Sequence, residues 1–255
     1  MNAGRPSLTA RSVALSRSRL DRLQTPEGDP EAELRLYQGL RPSLPLSLAL
    51  GRGIPMEDRT RFVDQEVLQA IAQGIAQVII LGSGYDGRCL RFRKQGIRFF
   101  EVDHPATQAD KRRRLEAVGA AVDHVTFVAT DLVHDGIKAA LGAAGHNQQL
   151  SSLFICEGLL LYLPPEAVER LLTGLRASAA VGSRLVVTAV EMDSKPHARD
   201  WVRRAILTAI GEPSRSRFGP GEIGRLLHVS SWKVVREVSH ARGESRRLLV
   251  AAEPI

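Results

Sequence analysis

The sequence holds two cysteines in 255 residues, few aromatics and no long apolar run, and each scarcity removes a class of protein. Cys89 and Cys156 stand far apart, beside or within apolar strand-like runs and without partners at ligand spacing. Neither a disulfide framework nor a metal site is expected, and both read as structural thiols. Aromatic residues make up 5% of the chain, and no basic strand is interleaved with them, which argues against a platform for stacking nucleic-acid bases. No segment approaches the roughly 20 apolar residues that cross a bilayer. Arg5, Arg11, Arg17, Arg19 and Arg22 have no apolar segment behind them, so neither a membrane span nor a secretory signal is expected, and the cytoplasm is the expected compartment.

The formal charge of +7 is spread over several clusters: the N-terminal arm, 88–94, 111–114, 199–204 and 215–217. A basic surface attracts anions without fixing how they bind. The reading here is a solvated basic face with a bias toward acidic small molecules; a non-catalytic basic binding module is the alternative. Arg199, Arg203 and Arg204 suit such a solvated helical face, or contact with a substrate carboxylate.

Helical patterns at 9–23 and 30–40, then a piece rich in proline and leucine through Leu50, read as a helical N-terminal cap over residues 1–58. The leucines of 36–50 offer a possible homodimer surface. From Asp64, placed as an N-cap, Val67, Leu68, Ile71, Ala72 and Ile75 share one helical face. Strands at 78–81, 98–102, 125–128, 152–156 and 184–190 then alternate with helices near 107–118, 136–141 and 165–180. A helix near 221–229 and two closely linked strands, 232–238 and 246–252, end the chain. Alternation predicts an α/β, Rossmann-like sheet, mostly parallel with an antiparallel C-terminal strand and helices on both faces. Residues 59–255 form the expected core, with 191–219 as a substrate-side insertion.

In such a sheet ligands enter at the carboxyl ends of the strands. Gly82 and Gly84 occupy the first end, where backbone can approach a ligand closely. Asp103 ends the second strand and suits a ribose, while Glu101 faces the same side. Asp131 and Leu132 end the third and suit an adenine ring, with a turn-capping aspartate as the alternative. Glu157 ends the fourth, suited to a cationic group. Gly82, Gly84 and Gly87 also satisfy the Gly-x-Gly-x-x-Gly spacing of nicotinamide-dependent oxidoreductases, a competing reading that Asp86 opposes by placing negative charge where a pyrophosphate would lie.

Five phrases, Arg59-Thr60-Arg61-Phe62-Val63-Asp64, Leu81-Gly82-Ser83-Gly84-Tyr85-Asp86-Gly87-Arg88, 100–108, 111–115 and 157–164, resemble the leucine carboxyl methyltransferase family, especially bacterial members similar to polyketide O-methyltransferases. The resemblance implies a class I methyltransferase fold using S-adenosyl-L-methionine. It places Arg59 on the methionine carboxylate with Arg61 nearby, Gly82, Gly84 and Asp86 in the cofactor turn, Asp103 on ribose, Asp131 and Leu132 around adenine, and Glu157 near the methionine amino end. The family turn often carries threonine at Gly87 and an aliphatic residue at Tyr85. The implied reaction is methylation of a carboxylate or phenolic oxygen on a small acceptor, somewhat in favour of the carboxylate, which is already anionic near neutral pH. Tyr162 and His197 are the candidates for the reacting end, and His104, His134 and His228 complete the histidines to consider for a phenol.

Overall fold

The computed structural model describes residues 4–41, 56–192, 198–242 and 245–255. Within them the chain runs α1 (Leu8–Arg17), α2 (Pro30–Tyr37), α3 (Met56–Ala72), β1 (Gln77–Leu81), α4 (Arg88–Arg91), β2 (Arg98–Asp103), α5 (Pro105–Ala117), β3 (Val125–Ala129), α6 (Ile137–Ala143), β4 (Ser152–Cys156), a short 3-10 turn (Leu160–Tyr162), α7 (Pro165–Arg176), β5 (Arg184–Met192), α8 (Ala198–Ala209), α9 (Glu222–Val229), β6 (Trp232–Arg242) and β7 (Ser245–Pro254). The seven strands form one sheet in the order β3-β2-β1-β4-β5-β7-β6. The first five are parallel, and β7 enters antiparallel to both β5 and β6. The mixed sheet expected from the alternation is the one observed.

Period-two alternation on the central strands supplies both faces of the sheet. Ile79, Leu81, Phe100, Val102 and Phe154 point one way, into a core closed by Ile137 of α6, Leu171 of α7 and Leu227 of α9. Val78, Ile80, Phe99, Leu153 and Ile155 point the other way, against Ala14 of α1, Leu36 of α2, Val67 of α3 and Leu115 of α5. A parallel sheet covered on both faces needs strands apolar throughout, and β1 and β4 are buried at every position. Cys89 and Cys156 are buried free thiols. Burial pushes the Cys156 thiol up to about 12, as expected of a packing residue.

Several local expectations are corrected. Asp64 does not cap a helix: α3 begins at Met56, and Asp64 sits buried inside it, held by Arg88 and Arg91. The first helix ends at Arg17, short of Leu23, and that last residue enters the ion pairs described below. In the polar segment 191–219, the helical spacing of Arg199, Arg203 and Arg204 does fall in a helix, the 12-residue α8. The proline and leucine piece at 42–50 lies outside the described residues. No described helix is long and apolar enough to cross a membrane.

Glu101, read alongside Asp103 at the end of β2, is structural. It is fully buried and pairs at 2.5 Å with Lys111 of α5, also fully buried. The same ammonium donates at 2.6 Å to the carbonyl of Asp86, so the pair pins the turn after β1 to the helix after β2. Burial works against the Lys111 charge, but Glu101 outweighs it and holds the ammonium above its ordinary value. Glu101→Gln would leave that ammonium buried without its counter-ion, at a cost of about 3–5 kcal/mol. Urea denaturation should show this as a lower midpoint with an unchanged slope, and a loss below about 1 kcal/mol would mean the pair contributes little.

Candidate functional site

The strand ends converge on a cavity of about 200 Å³, bounded by the turns after β1, β2, β3 and β4, by α1, and by residues 212–215. Its floor is the turn Gly82-Ser83-Gly84. Both glycines are left-handed, with φ of 63° and 51°, a region other L residues enter at a cost. They are also closely overlaid: a Cβ at Gly82 would stand 2.9 Å from Cδ1 of Leu159, and one at Gly84 would stand 2.8 Å from Cβ of Ala10. The N-terminal helix therefore packs directly on the second glycine. Ser83 Oγ, buried in the cavity wall, has no hydrogen-bond partner among the described residues.

Asp103 lies at the end of β2 with both carboxylate oxygens engaged, Oδ2 by the Gly84 N–H and Oδ1 by the His104 N–H. Each oxygen keeps a lone pair for a further donor. Burial raises its carboxyl to about 6, against the opposing pull of the two amides. From β3, Thr130, Asp131 and Leu132 reach the cavity. Asp131 Oδ1 accepts from the Val133 N–H at 2.9 Å, the turn-capping contact of an aspartate, while Leu132 packs against the core.

Glu157 follows β4 and is the most heavily paired acid of the site. Arg17 Nη2 lies 2.6 Å from Oε2, Arg88 Nη1 also 2.6 Å from Oε2, and Arg59 Nε 2.7 Å from Oε1. Burial alone would raise its carboxyl, yet the three guanidinium groups hold it well below the usual carboxylate range. Asp86 shares Arg17 and Arg88 with it and accepts from the Arg88 N–H at 2.8 Å. Burial opposes ionisation there too, and the two arginines again prevail.

Of the residues expected at the site, Arg59, Gly82, Gly84, Asp86, Asp103, Asp131, Leu132, Glu157 and Tyr162 all line this one cavity. Arg61 does not: it lies exposed on α3, paired with Glu57 one helical turn away. His197 lies outside the described residues. Of the other three histidines only His104 reaches the cavity, where its ring accepts from the Ala106 N–H at the start of α5; His134 and His228 are exposed.

Sequence reading missed Arg17, Arg88, Glu212 and Arg215 as parts of the site. Arg88 stood in the quoted glycine phrase, but Arg17 was one of many N-terminal arginines and no spacing links it to Glu157. Glu212 closes the cavity from the far side: its carboxylate accepts from the Leu8 and Thr9 amides and from the Ser7 and Thr9 hydroxyls at the N-terminus of α1, where negative charge is favoured.

The two departures from the family turn have physical reasons. The buried Tyr85 hydroxyl donates to Asp110 of α5 and receives a long contact from Arg11 of α1, tying the turn to both helices. At Gly87 a Cβ would stand 2.2 Å from Cγ of Glu33, so only glycine leaves room for that buried acid, which pairs with Arg91 and Arg22. A pyrophosphate fits poorly here, because α4 spans four residues and Asp86 already occupies its N-terminus.

A cavity at the strand ends of a sheet with an antiparallel β7 defines an α/β fold of the methyltransferase type. Two solved structures share that fold: a putative methyltransferase from Thermobifida fusca (TM-score 0.60, 15% identity, 99% of this chain and 96% of that one) and the magnesium protoporphyrin IX methyltransferase of Synechocystis with S-adenosylhomocysteine bound (TM-score 0.52, 16% identity, 83% and 93%). Residues 50–176 match the family model for leucine carboxyl methyltransferase. A Saccharopolyspora erythraea protein named "Putative S-adenosyl-L-methionine-dependent methyltransferase" is 34% identical over 213 residues, 76% of this chain and 74% of its own. Through that relative the chain belongs to the S-adenosyl-L-methionine-dependent methyltransferases. A Streptomyces avermitilis relative is 43% identical over 133 residues, and the match spans 46% of it; the chain spans about half the length of the first curated relatives it matches.

Asp103 makes stability depend on pH in a defined direction. Its folded value, about 6, lies above the unfolded one of about 3.9, so between them the folded chain binds the extra proton. Its contribution to stability is therefore greatest below about pH 4 and falls as pH rises to about 6. Asp103→Asn should remove that slope. The difference in unfolding free energy between variant and wild type, followed by urea denaturation from pH 4.5 to 7.5, should shift in the variant's favour up to about pH 6 and then level off.

Proposed function

We propose that this chain is an S-adenosyl-L-methionine-dependent O-methyltransferase acting on a carboxylate or phenolic oxygen of a small, polyketide-like acceptor. The observation that carries the reading is the gathering, in one cavity, of the glycine turn, Asp103, Asp131 and Leu132, Glu157 and Arg59. Family membership supports the cofactor; the oxygen and the acceptor rest on the resemblance of the motifs.

The residues present suit the cofactor. Asp103 has lone pairs for ribose hydroxyls, and the partnerless Ser83 hydroxyl can take a further polar contact. Asp131 and Leu132 provide an acceptor and an apolar face for adenine. Arg59 keeps a fifth of its side chain exposed while paired to Glu157, so it can share its charge with the methionine carboxylate, leaving Glu157 beside the amino group. The bound cofactor supplies an electrophilic methyl group on a sulfonium. The chain's task is to hold an acceptor oxygen in line with it and to exclude water, and positioning of this kind accounts for much of such a rate. A carboxylate acceptor needs no general base. For a phenol, with a pKa of about 10, Tyr162 and His104 of the cavity are the candidates to handle the proton, and His197 is a third.

Calorimetry with S-adenosylhomocysteine tests this reading. Wild type should bind in the micromolar range, and Asp103→Ala should weaken binding at least tenfold, about 1.4 kcal/mol. Because ribose hydroxyls donate to the ionised form of Asp103, wild-type affinity should also rise with pH through about 6 and flatten above it. No binding by the folded wild-type chain would refute the assignment.

A further inference from the structure

Two of the three arginines that line the cavity are ion-paired within the chain. Of its arginines, Arg17 pairs with Asp86 and Glu157, and Arg59 pairs with Glu157. Arg215 also lines the cavity, is exposed, and its guanidinium has no ion pair or side-chain hydrogen bond among the described residues. Glu212, the acid three residues before Arg215, is committed to the N-terminus of α1.

The backbone around Arg215 is fixed rather than trailing. Its N–H donates to the Leu161 carbonyl at 2.8 Å, the Ser216 N–H donates to the same carbonyl at 3.2 Å, and Ser216 Oγ donates to the Leu163 carbonyl at 2.5 Å. These contacts fasten residues 215–216 to the turn that carries Tyr162 and follows β4. An arginine is cationic at any physiological pH and presents a planar fork that matches a carboxylate.

We propose that Arg215 binds the carboxylate of the methyl acceptor, so that the acceptors of this enzyme are small carboxylic acids; this rests on the methyltransferase reading above. In the transfer, a new bond forms between the carboxylate oxygen and the methyl carbon as the carbon–sulfur bond breaks. Its electron pair goes to sulfur, which leaves as a neutral thioether, and no proton moves. The acceptor loses its negative charge in that step. Arg215 therefore attracts substrate more strongly than the ester product, which favours product release.

The test uses benzoate as probe and benzamide as its neutral counterpart, each titrated into the full chain with and without S-adenosylhomocysteine. Benzoate should bind at least tenfold more tightly than benzamide. Arg215→Gln should abolish the difference, Arg215→Lys should restore part of it, and neither should change S-adenosylhomocysteine affinity. Equal binding of the two probes by wild type, or undiminished benzoate binding by Arg215→Gln, overturns the proposal. The cofactor titration is scored separately: discrimination between the probes without S-adenosylhomocysteine binding would keep Arg215 as a carboxylate site and remove the methyltransferase reading.

Discussion

The Arg88 guanidinium is the junction on which this site depends. It has no solvent exposure, and it contacts Asp64 of α3, Asp86 of the glycine turn and Glu157 at the end of β4. An isolated guanidinium in that position would be prohibitively costly, and its acids would be too; together they satisfy one another's charge in fixed geometry. Arg17 and Arg59 extend the cluster toward the cavity, while Arg91, Glu33 and Arg22 extend it toward α2. Burial raises the Arg91 and Arg88 charges' cost, yet the surrounding carboxylates hold both groups above their ordinary values. The cluster contributes position more than net stability. The glycine turn, the β4 end and three N-terminal helices are held in one arrangement because moving any of them strands a buried charge.

That arrangement explains why the N-terminal helix belongs to the site. Arg17 at the end of α1 enters the cluster, Ala10 in its middle lies on Gly84, and the amides at its start are held by Glu212. The helix is thus fastened at both ends, to the β4 turn at one and to the segment after α8 at the other. Its side chains contribute little apolar drive, since Ser12, Ser16 and Arg17 interrupt the pattern, so its docking rests mainly on polar contacts. Polar fastenings to two different parts of the chain hold it across the cavity.

The strand ends were legible in the sequence because short apolar runs mark where each strand stops, and residues at or just past the carboxyl end of a parallel strand lie at the crevice. Gly82, Asp103, Asp131 and Glu157 all follow from that one rule. Asp64 misled for a related reason: an acid before an apolar helical stripe looks like an N-cap, and only the tertiary partners Arg88 and Arg91 show it to be a buried counter-ion. Arg17 and Glu212 were not legible, because each pairs with a group more than a hundred residues away and no local pattern marks such a contact. Arg61 was carried with Arg59 in the family phrase, but two residues along a helix turn the side chain by about 200°, which sends Arg61 to solvent when Arg59 faces the cavity.

Charge also orders the two halves of the cavity. Around the proposed cofactor the chain places carboxylates that are already held by backbone amides or arginines, so they act as fixed acceptors rather than as bases. Asp103 is the exception in degree: two amides are not enough to offset its burial, and its carboxyl stays raised. Hydroxyl donors arriving there would stabilise the ionised form and restore what burial removes, so ligand binding and ionisation of Asp103 reinforce each other. Arg215, which lines the same cavity, is held through its backbone, and the proposal above gives its charge to the acceptor. On the proposed reading, a sulfonium and a carboxylate brought together in this cavity would neutralise each other on methyl transfer.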